Sequence, residues 1–298
     1  MFHRPARLLP RLATALAATT ALTGGILVML PAPSFANPEG GRVVAGRAAI
    51  VDRGGGKLVV QQKSDKAVID WRRFGIAKGE HTHFDQPGKN AVILNRVTGK
   101  EASTIAGRLT ADGKVILLNP AGVLFTEDAR VDVHGLIAST SRLDTRDFMA
   151  GRLAFEPSGN PGAAVVNKGE NTAREGGLVA LVAPRVENAG TIDARLGRVA
   201  LASGETFTAD LYGDGLVDRV VNMTGIVEAT RVAQQGGRIV LEGGEGGTVR
   251  VAGTLDAAGR AAGEQGGEVT VAAGTVELAE TARIDVSGPA GGGTARLG

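Results

Sequence analysis

The stretch Gly253-Thr254-Leu255-Asp256-Ala257 decides the fold, because close copies of it return along the second half of the chain. The copies are Gly190-Thr191-Ile192-Asp193-Ala194, Gly225-Ile226-Val227-Glu228-Ala229 and Arg283-Ile284-Asp285-Val286. The spacings between their anchoring aliphatic residues are 34, 29 and 29, for Ile192, Ile226, Leu255 and Ile284. A period of about 20–50 residues is the signature of a repeat architecture.

A second element alternates with the first and places glycine before a short apolar strand. Its copies are Gly197-Arg198-Val199-Ala200-Leu201, Gly236-Gly237-Arg238-Ile239-Val240-Leu241 and Gly266-Gly267-Glu268-Val269-Thr270-Val271. One such unit cannot bury its apolar side alone, whereas stacked units share a continuous core, and glycine permits the corners. We therefore predict an all-β fold, a right-handed parallel β-helix. A β-sandwich would need recurring Asn-Gly hairpin signals, which the sequence lacks.

The chain between residue 37 and the repeats has the same many-strand pattern, with short apolar runs separated by turn residues. Examples are the runs at 58–60, 91–94, 115–118 and 178–181. The less regular segment 37–70 is predicted to cap the N-terminal strand edge, because an open edge promotes aggregation. Only the stretch 145–151 indicates a helix, of one or two turns.

The composition favours a narrow aliphatic interior. The 298 residues include 45 Gly and no Cys, and aromatic residues make up only 3%. Each aromatic ring buries about 150–250 Å², so a core without them must use Val, Leu, Ile and Ala. The absence of cysteine excludes disulfides and thiolate chemistry, and with four His a structural zinc site is not expected.

Residues 1–36 have the pattern of a secretory signal peptide. Arg4, Arg7 and Arg11 precede a mostly apolar stretch at 12–30, and Ser34-Phe35-Ala36 supplies the small residues of a cleavage site. We predict cleavage after Ala36, and with it the Sec machinery and signal peptidase as partners. A retained membrane anchor is the alternative, since the stretch is about long enough to span a bilayer.

Cleavage changes the charge of the protein. The whole chain carries +2, and the signal peptide holds three arginines and no acid, so the mature chain carries −1. Binding to nucleic acid requires clustered cations, with aromatic residues interleaved for single strands. No such patch is present in the sequence, and we predict no nucleic-acid partner.

An ordered set of motifs lies between Trp71 and Asp132. It comprises Trp71-Arg72-Arg73-Phe74-Gly75-Ile76, Gly79-Glu80, Phe84-Asp85-Gln86-Pro87, Val92-Ile93-Leu94-Asn95-Arg96-Val97-Thr98-Gly99, Ser103-Thr104-Ile105-Ala106-Gly107-Arg108-Leu109, Ala111-Asp112-Gly113-Lys114-Val115 and Asn119-Pro120-Ala121-Gly122-Val123-Leu124-Phe125.

In this order the motifs resemble the secretion domain of the two-partner secretion family, which includes filamentous haemagglutinins and high-molecular-weight adhesins. The resemblance covers about residues 37–218. It implies a right-handed β-helix with an N-terminal cap and small extra-helical β elements. It also implies export through the periplasm of a Gram-negative bacterium, to the cell surface or medium. The implied partner is an outer-membrane transporter barrel of the Omp85 class, whose periplasmic domains bind this region.

We divide the chain into a signal peptide at 1–36, a secretion domain at 37–220 and the start of a β-helical shaft at 221–298. The glycine-rich end shows no capping pattern, so we expect the repeats to continue in a longer protein. A host or neighbouring cell surface would then be a partner of the missing C-terminal region.

The resemblance places two asparagine motifs in this sequence. The first consists of Asn95, Arg96, Val97, Thr98 and Gly99, and the second of Asn119, Pro120, Ala121 and Gly122. The second motif more commonly has Asn where this chain has Ala121, and no Asn-Pro-Asn-Leu motif is present. The chain is therefore closer to the adhesins than to the haemagglutinins.

Two interpretations of these asparagines stay open. Asn side chains bond nearby backbone groups and can satisfy neighbouring coils of a β-helix, which is a structural role. Alternatively, they contact the transporter directly.

An enzyme is not predicted, and no cofactor is expected. Phosphate-binding and nucleophile-elbow motifs are absent. A β-helical polysaccharide lyase or hydrolase is the rival, but it needs clustered carboxylates. Asp210, Asp214 and Asp218 recur at fours, although the glycines between them indicate a loop. The stalk of a contact-dependent toxin is a third possibility, because it would share this domain.

Two groups of residues raise the question of a metal site. His81 and His83 would share a strand face, but no third ligand is evident and their neighbours suggest a surface loop. The repeat acids should point outward, as a calcium ladder or as a solvated corner balanced by Arg195 and Arg283; they are Asp193, Glu228, Asp256 and Asp285. We favour the solvated corner and predict no metal.

Overall fold

The computed structural model describes residues 37–194, 197–204, 206–209, 217–221, 226–233 and 237–298, with backbone alone for 217–221 and 226–233. The predicted signal peptide, residues 1–36, lies outside the described residues, and so do Arg195, Asp210 and Asp214. The backbone of Asp218 is described, within a strand, but its side chain is not.

Short strands make up most of the described chain. In chain order they are β1 (Arg42–Ala45), β2 (Ala48–Asp52), β3 (Lys57–Gln62), β4 (Lys66–Trp71), β5 (His81–Asp85), β6 (Val92–Val97), β7 (Ser103–Ile105), β8 (Arg108–Ala111), β9 (Lys114–Leu118), β10 (Val123–Phe125), β11 (Arg130–Ser139), β12 (Ala154–Phe155), β13 (Ala164–Asn167), β14 (Glu170–Ala183), β15 (Arg185–Asn188), β16 (Thr191–Ala194), β17 (Arg198–Ser203), β18 (Thr206–Ala209), β19 (Val217–Val221), β20 (Ile226–Ala233), β21 (Arg238–Asp256), β22 (Glu268–Leu278), β23 (Arg283–Asp285) and β24 (Thr294–Leu297).

Three stacks of parallel strands form a β-helix, as predicted. Sheet A contains β3, β5, β8, the first part of β11, the first part of β14, β16, the end of β20, the end of β21, and β23. Sheet B contains β4, β6, β9, the later parts of β11 and β14, β17, the starts of β21 and β22, and β24. Sheet C contains β7, β10, β13, β15, the start of β20, the middle of β21 and the end of β22.

Aliphatic ladders fill the interior, as the composition predicted. In sheet B one inward column runs through eight successive strands, and every member is at most 1% exposed: Ala67, Ile93, Val115, Leu136, Val179, Val199, Ile239 and Val269. Branched and small side chains suit this spacing because coils lie only about 4.8 Å apart. Continuous burial along such columns stabilises the stack as a whole.

Antiparallel strands close the N-terminal end. β1 pairs with β4 and β2 pairs with β3, so both cover the free edges of the first parallel strands. Trp71 and Phe74 pack edge-to-face beneath this end, with ring centroids 5.7 Å apart. The predicted cap is therefore confirmed for β1 and β2, which protect the sheets from adding foreign strands. The predicted range 37–70 was too long, because β3 and β4 are the first strands of the parallel sheets.

An outer layer packs on the outside of sheet B. It consists of α1 (Thr145–Met149) and the antiparallel sheet β12-β18-β19. Asp144 caps the helix, because its Oδ1 accepts the backbone N–H of Arg146 at 2.7 Å. The structure thus confirms the predicted short helix and the extra-helical β elements. Within the described residues, no helix has the length and apolar character needed to cross a bilayer.

Three phenylalanines hold the outer layer in place. Phe155 and Phe207 stack with ring centroids 4.0 Å apart and planes 6° apart. Together with Phe148 they bury the outward apolar side chains of sheet B, among them Leu94 and Ile116. A second apolar core therefore lies outside the β-helix.

The register of the first repeat element differs from the prediction. Residues 226–229 pair with β15 in sheet C, and Val232 instead of Ile226 pairs with Ile192. The chain then continues in register from Val232 to Leu255 and Ile284. The predicted position of this copy was wrong, because sheets A and C share the same inward aliphatic pattern. The second element was predicted correctly: Arg198, Arg238 and Glu268 are in register.

Candidate functional site

Asn95 is completely buried and connects three successive coils. Its Oδ1 accepts a hydrogen bond from Trp71 Nε1 at 2.9 Å, and its Nδ2 donates to the carbonyl oxygen of Ile116 at 3.3 Å. Trp71 lies on β4, Asn95 on β6 and Ile116 on β9. The alternating direction of side chains along β6 turns Asn95 into the core. One amide therefore ties together the first three strands of sheet B.

Apart from Val97, the rest of the first motif contacts the same coils from outside. Arg96 donates from Nε to Asp70 Oδ1 at 2.8 Å and from Nη1 to the carbonyl oxygen of Leu143 at 3.4 Å. Thr98 donates from its backbone N–H and its hydroxyl to the carbonyl oxygen of Trp71, at 2.8 and 3.0 Å. A Cβ on Gly99 would lie 2.2 Å from the carbonyl oxygen of Arg72, so this close approach requires glycine. Val97 packs in the core.

Asn119 forms a second buried hydrogen-bond network, at the corner after β9. Its Nδ2 donates to the carbonyl oxygen of Glu101 at 3.0 Å and to Ser103 Oγ at 2.9 Å. Its Oδ1 accepts the backbone N–H of Ala121 at 2.9 Å, and its carbonyl oxygen accepts the N–H of Gly122 at 2.9 Å. Because Asn119 itself closes this turn, a side-chain amide at position 121 is not required.

Glycine is necessary at the end of the second motif. Gly122 has φ +113°, where an L side chain is strained, and its Cβ would also meet the carbonyl oxygen of Ala164 at 3.0 Å. Pro120 starts the turn, and its carbonyl oxygen accepts a hydrogen bond from Asn160 Nδ2 at 3.0 Å. The second motif is thereby joined to the loop that follows the outer layer.

A groove of about 610 Å³ separates the motifs from the outer layer. Arg96, Thr98 and Pro120 lie on its β-helix side, and Arg142 and Glu156 lie on its outer side. The residues that line it are Asp70, Arg96, Val97, Thr98, Gly99, Leu118, Pro120, Ser141, Arg142, Leu143, Asp144 and Glu156. The structure thus buries both asparagines and exposes Thr98, while Arg96, Gly99, Pro120 and Ala121 are half-buried.

Three further buried asparagines were missed by the sequence analysis. Asn167 and Asn188 are in register in sheet C, and Asn167 Nδ2 donates to Asn188 Oδ1 at 2.7 Å. Asn167 Oδ1 also accepts the N–H of Gly169 at 3.1 Å. The shared Asn-x-Gly spacing at Asn167 and Asn188 was the available signal. Asn171 is also fully buried, in sheet A.

The two histidines lie on strand β5, not in the surface loop that their neighbours suggested. His81 Nε2 and His83 Nδ1 both contact Thr110 Oγ1, at 2.7 and 2.8 Å. Partial burial, and next the nearby Arg108, lower the pKa of His81. Both imidazoles therefore form a hydrogen bond with the same hydroxyl group, that of Thr110. Among the described residues, no group of three or more His, Asp or Glu side chains is arranged to hold a metal ion.

The repeat acids do not form the acidic ladder that was the alternative to a solvated corner. Glu228 is in register with Glu187 and Arg250, and Ala233 stands between Asp193 and Asp256. The assignment of Glu228 to the column of Asp193 and Asp256 was wrong, because residues 226–229 pair in sheet C and not in sheet A. Asp256 and Asp285 are in register, and Arg260 pairs with Asp256. Hydrogen bonds from Ser287, the side-chain bond first, lower the pKa of Asp285, and the charge of Arg260 adds to this. A cation from the chain itself, Arg260, thus compensates this corner.

A capped parallel β-helix with an outer layer and two buried asparagine motifs defines a class of protein, the secretion domains of large bacterial exoproteins. The chain is similar to the HMW1 secretion domain from Haemophilus influenzae, with a TM-score of 0.67, 26% identity, and coverage of 88% of this chain and 77% of that one. It shares the fold of a filamentous hemagglutinin secretion domain, with a TM-score of 0.56, 17% identity, and coverage of 86% and 99%. The family model of the TPS secretion domain matches residues 35–288, and the chain belongs to that family.

Curated relatives include two heme/hemopexin-binding proteins of Haemophilus influenzae. One is 36% identical over 214 residues, which is 64% of this chain and 23% of the relative. The other is 44% identical over 112 residues, which is 38% of this chain and 12% of the relative. The chain thus matches about a quarter or less of the length of these proteins. Family membership implies export from a Gram-negative bacterium with a partner transporter in the outer membrane.

Proposed function

We propose that this chain is the N-terminal secretion module of a longer exoprotein and has no catalytic role. An Omp85-class barrel would bind it through its periplasmic domains, after Sec export and removal of residues 1–36 by signal peptidase. The observation that carries the proposal is the family match over residues 35–288. The divisions at residues 36 and 220 remain part of this proposal.

The second part of the proposal is that the module nucleates β-helix folding at the cell surface. Parallel pairing is slow because it joins residues distant in sequence. The amide of Asn95 connects β4, β6 and β9, so the first coils gain stability together once they are outside. Their formation would oppose return of the chain through the barrel.

We also propose that Asn95 and Asn119 act by building these coils. Both side chains are 0% exposed, so in the folded domain neither is available to a partner. Binding of the urea-unfolded chain to the purified periplasmic domains tests this directly. Equal binding of wild type and Asn119→Ala is expected, and loss of binding by the variant would instead support direct contact.

A secretion assay tests the main proposal. The chain is expressed in a Gram-negative host with and without the candidate barrel, and folded protein is measured in the medium. Partner-dependent release is expected. Release without the barrel, or retention despite it, would contradict the proposal.

Variants of the second motif sharpen this assay. Asn119→Pro removes the N–H that donates to the carbonyl oxygen of Ser139, and Gly122→Val places a branched side chain at positive φ. Both are expected to block release without reducing synthesis. Ala121→Asn is the matched control, and it should be released normally because the backbone N–H of residue 121 is retained.

The relatives suggest a cargo function for the longer exoprotein. Both are named as heme/hemopexin-binding proteins, and we propose the same ligands for the protein that carries this module. Hemin and hemopexin binding by the full-length exoprotein, compared with residues 37–298 alone, tests this and locates the site. No specific observation favours the adhesin, the toxin stalk or the polysaccharide enzyme over this candidate.

A further inference from the structure

Asn171 occupies an aliphatic position in the interior of sheet A. It is in register with Val131 on one neighbouring strand and Ile192 on the other. Leu109, one coil before Val131, belongs to the same column. All four side chains are at most 3% exposed. A polar amide therefore stands where the column elsewhere places Leu, Val and Ile.

The amide of Asn171 is unsatisfied. Within the described part of the chain, neither its Nδ2 nor its Oδ1 has a hydrogen-bond partner. The other buried asparagines differ, since Asn95, Asn119 and Asn167 each donate and accept. Water solvates the amide in the unfolded chain, so the loss on burial weighs on the folded state alone.

The position of Asn171 in the stack makes the cost of burying its amide important for the order in which coils fold. Strand β14 pairs with β11 on one side and with β16 and β17 on the other. The later coils of the β-helix therefore stack on the coil that contains Asn171. In a solenoid, stability is a sum over coils and their nearest neighbours, so one weak coil slows propagation through it.

We propose that Asn171 is a folding brake, which keeps the domain from completing its β-helix before export. This inference rests on the proposed function, because a brake is useful only to a chain that crosses the outer membrane unfolded. The first coils would form together, and the cost of burying Asn171 would delay the coils that follow. The full solenoid would become stable only after many coils have emerged.

Asn171→Leu tests the brake, because leucine has nearly the same shape without polar atoms. We expect a higher urea midpoint, with a folding equilibrium constant raised about tenfold or more, and faster refolding. Asn171→Val is the second variant, in case leucine fits poorly. Asn188→Leu is the matched control, and it should be destabilised because it removes the acceptor used by Asn167 Nδ2.

Secretion then distinguishes a brake from a mere weak point. With the partner barrel present, Asn171→Leu should accumulate as protease-resistant protein in the periplasm, with release reduced several-fold. Unchanged release of a stabilised, faster-folding variant would overturn the inference, and so would a lower urea midpoint for both variants. Wild-type release that does not depend on the barrel would instead refute the proposed function and leave the refolding result standing.

Discussion

The side-chain amide of Asn95 links three coils, so the fold depends on the hydrogen bonds of this single group. Trp71 Nε1 and the carbonyl oxygen of Ile116 belong to residues that are at most 1% exposed, so bulk solvent does not reach them. Buried polar groups are costly when unpaired, so the network stabilises the fold chiefly by avoiding that penalty.

Asn95→Ala should therefore lower the free energy of unfolding by about 2–4 kcal/mol, because it leaves two buried polar groups unpaired. Urea denaturation of residues 37–298, followed by tryptophan fluorescence, measures it, since Trp71 is the single Trp of the sequence. Asn90→Ala is the control, because Asn90 is exposed. A change equal to that of the control would show that the Asn95 amide does not bridge the coils.

Sequence patterns located part of this polar network. The motifs identified Asn95 and Asn119, because each lies in a distinctive run of residues. They did not identify Asn171, because a sequence shows the amide but not the direction in which the strand points it. Only the register with Val131 and Ile192 places it among aliphatic side chains.

At the scale of elements, the outer layer depends on contacts between distant segments. Phe155 pairs across the sheet with Phe207, and their rings stack. The sequence indicated the helix at 145–151 from local signals. It could not indicate this pairing, because two-residue strands have no recognisable period and the partner lies on a separate insertion.

Phe207→Ala should lower the free energy of unfolding by about 3–5 kcal/mol, because it opens a cavity in the second core. Hydrogen exchange should rise in α1 and β12 more than in the inward strands of sheet B. Met149→Ala, which changes a side chain already 37% exposed, provides the comparison. Equal protection of α1 and β12 in Phe207→Ala and wild type would exclude a packing role for this ring.

At the scale of the whole molecule, we expect two histidines to make the free energy of unfolding depend on pH. Burial, followed by Arg108, His83 and Lys57, lowers the pKa of His81 below 6.5. Burial, followed by Lys89, Arg174 and Lys114, lowers the pKa of His134 below 6.5 as well. A lowered folded-state pKa means that the unfolded chain binds more protons between the two pKa values.

The contribution of these histidines is therefore complete above pH 6.5 and is lost as pH falls through their folded pKa values. Thermal unfolding should occur at lower temperature at about pH 5.5 than at about pH 7.5. The double variant His81→Gln/His134→Gln should lose less stability between these pH values. The pKa values of Glu268 and Asp285 are also lowered. The stability that these carboxylates contribute is lost only below their ordinary pKa values of 4.5 and 3.8. A wild-type melting temperature equal at both pH values would contradict this prediction.

The covered first edge gives the molecule a polarity. Because β1 and β2 occupy the free sides of β4 and β3, new strands add only at the opposite end. That end also faces the part of the chain that emerges later when translocation starts at the N-terminus. Under the proposed function, each completed coil would lengthen the β-helix by about 4.8 Å and oppose backward movement of the chain. Under the same proposal, folding would supply the direction of transport, and the cap would confine growth of the β-helix to one end.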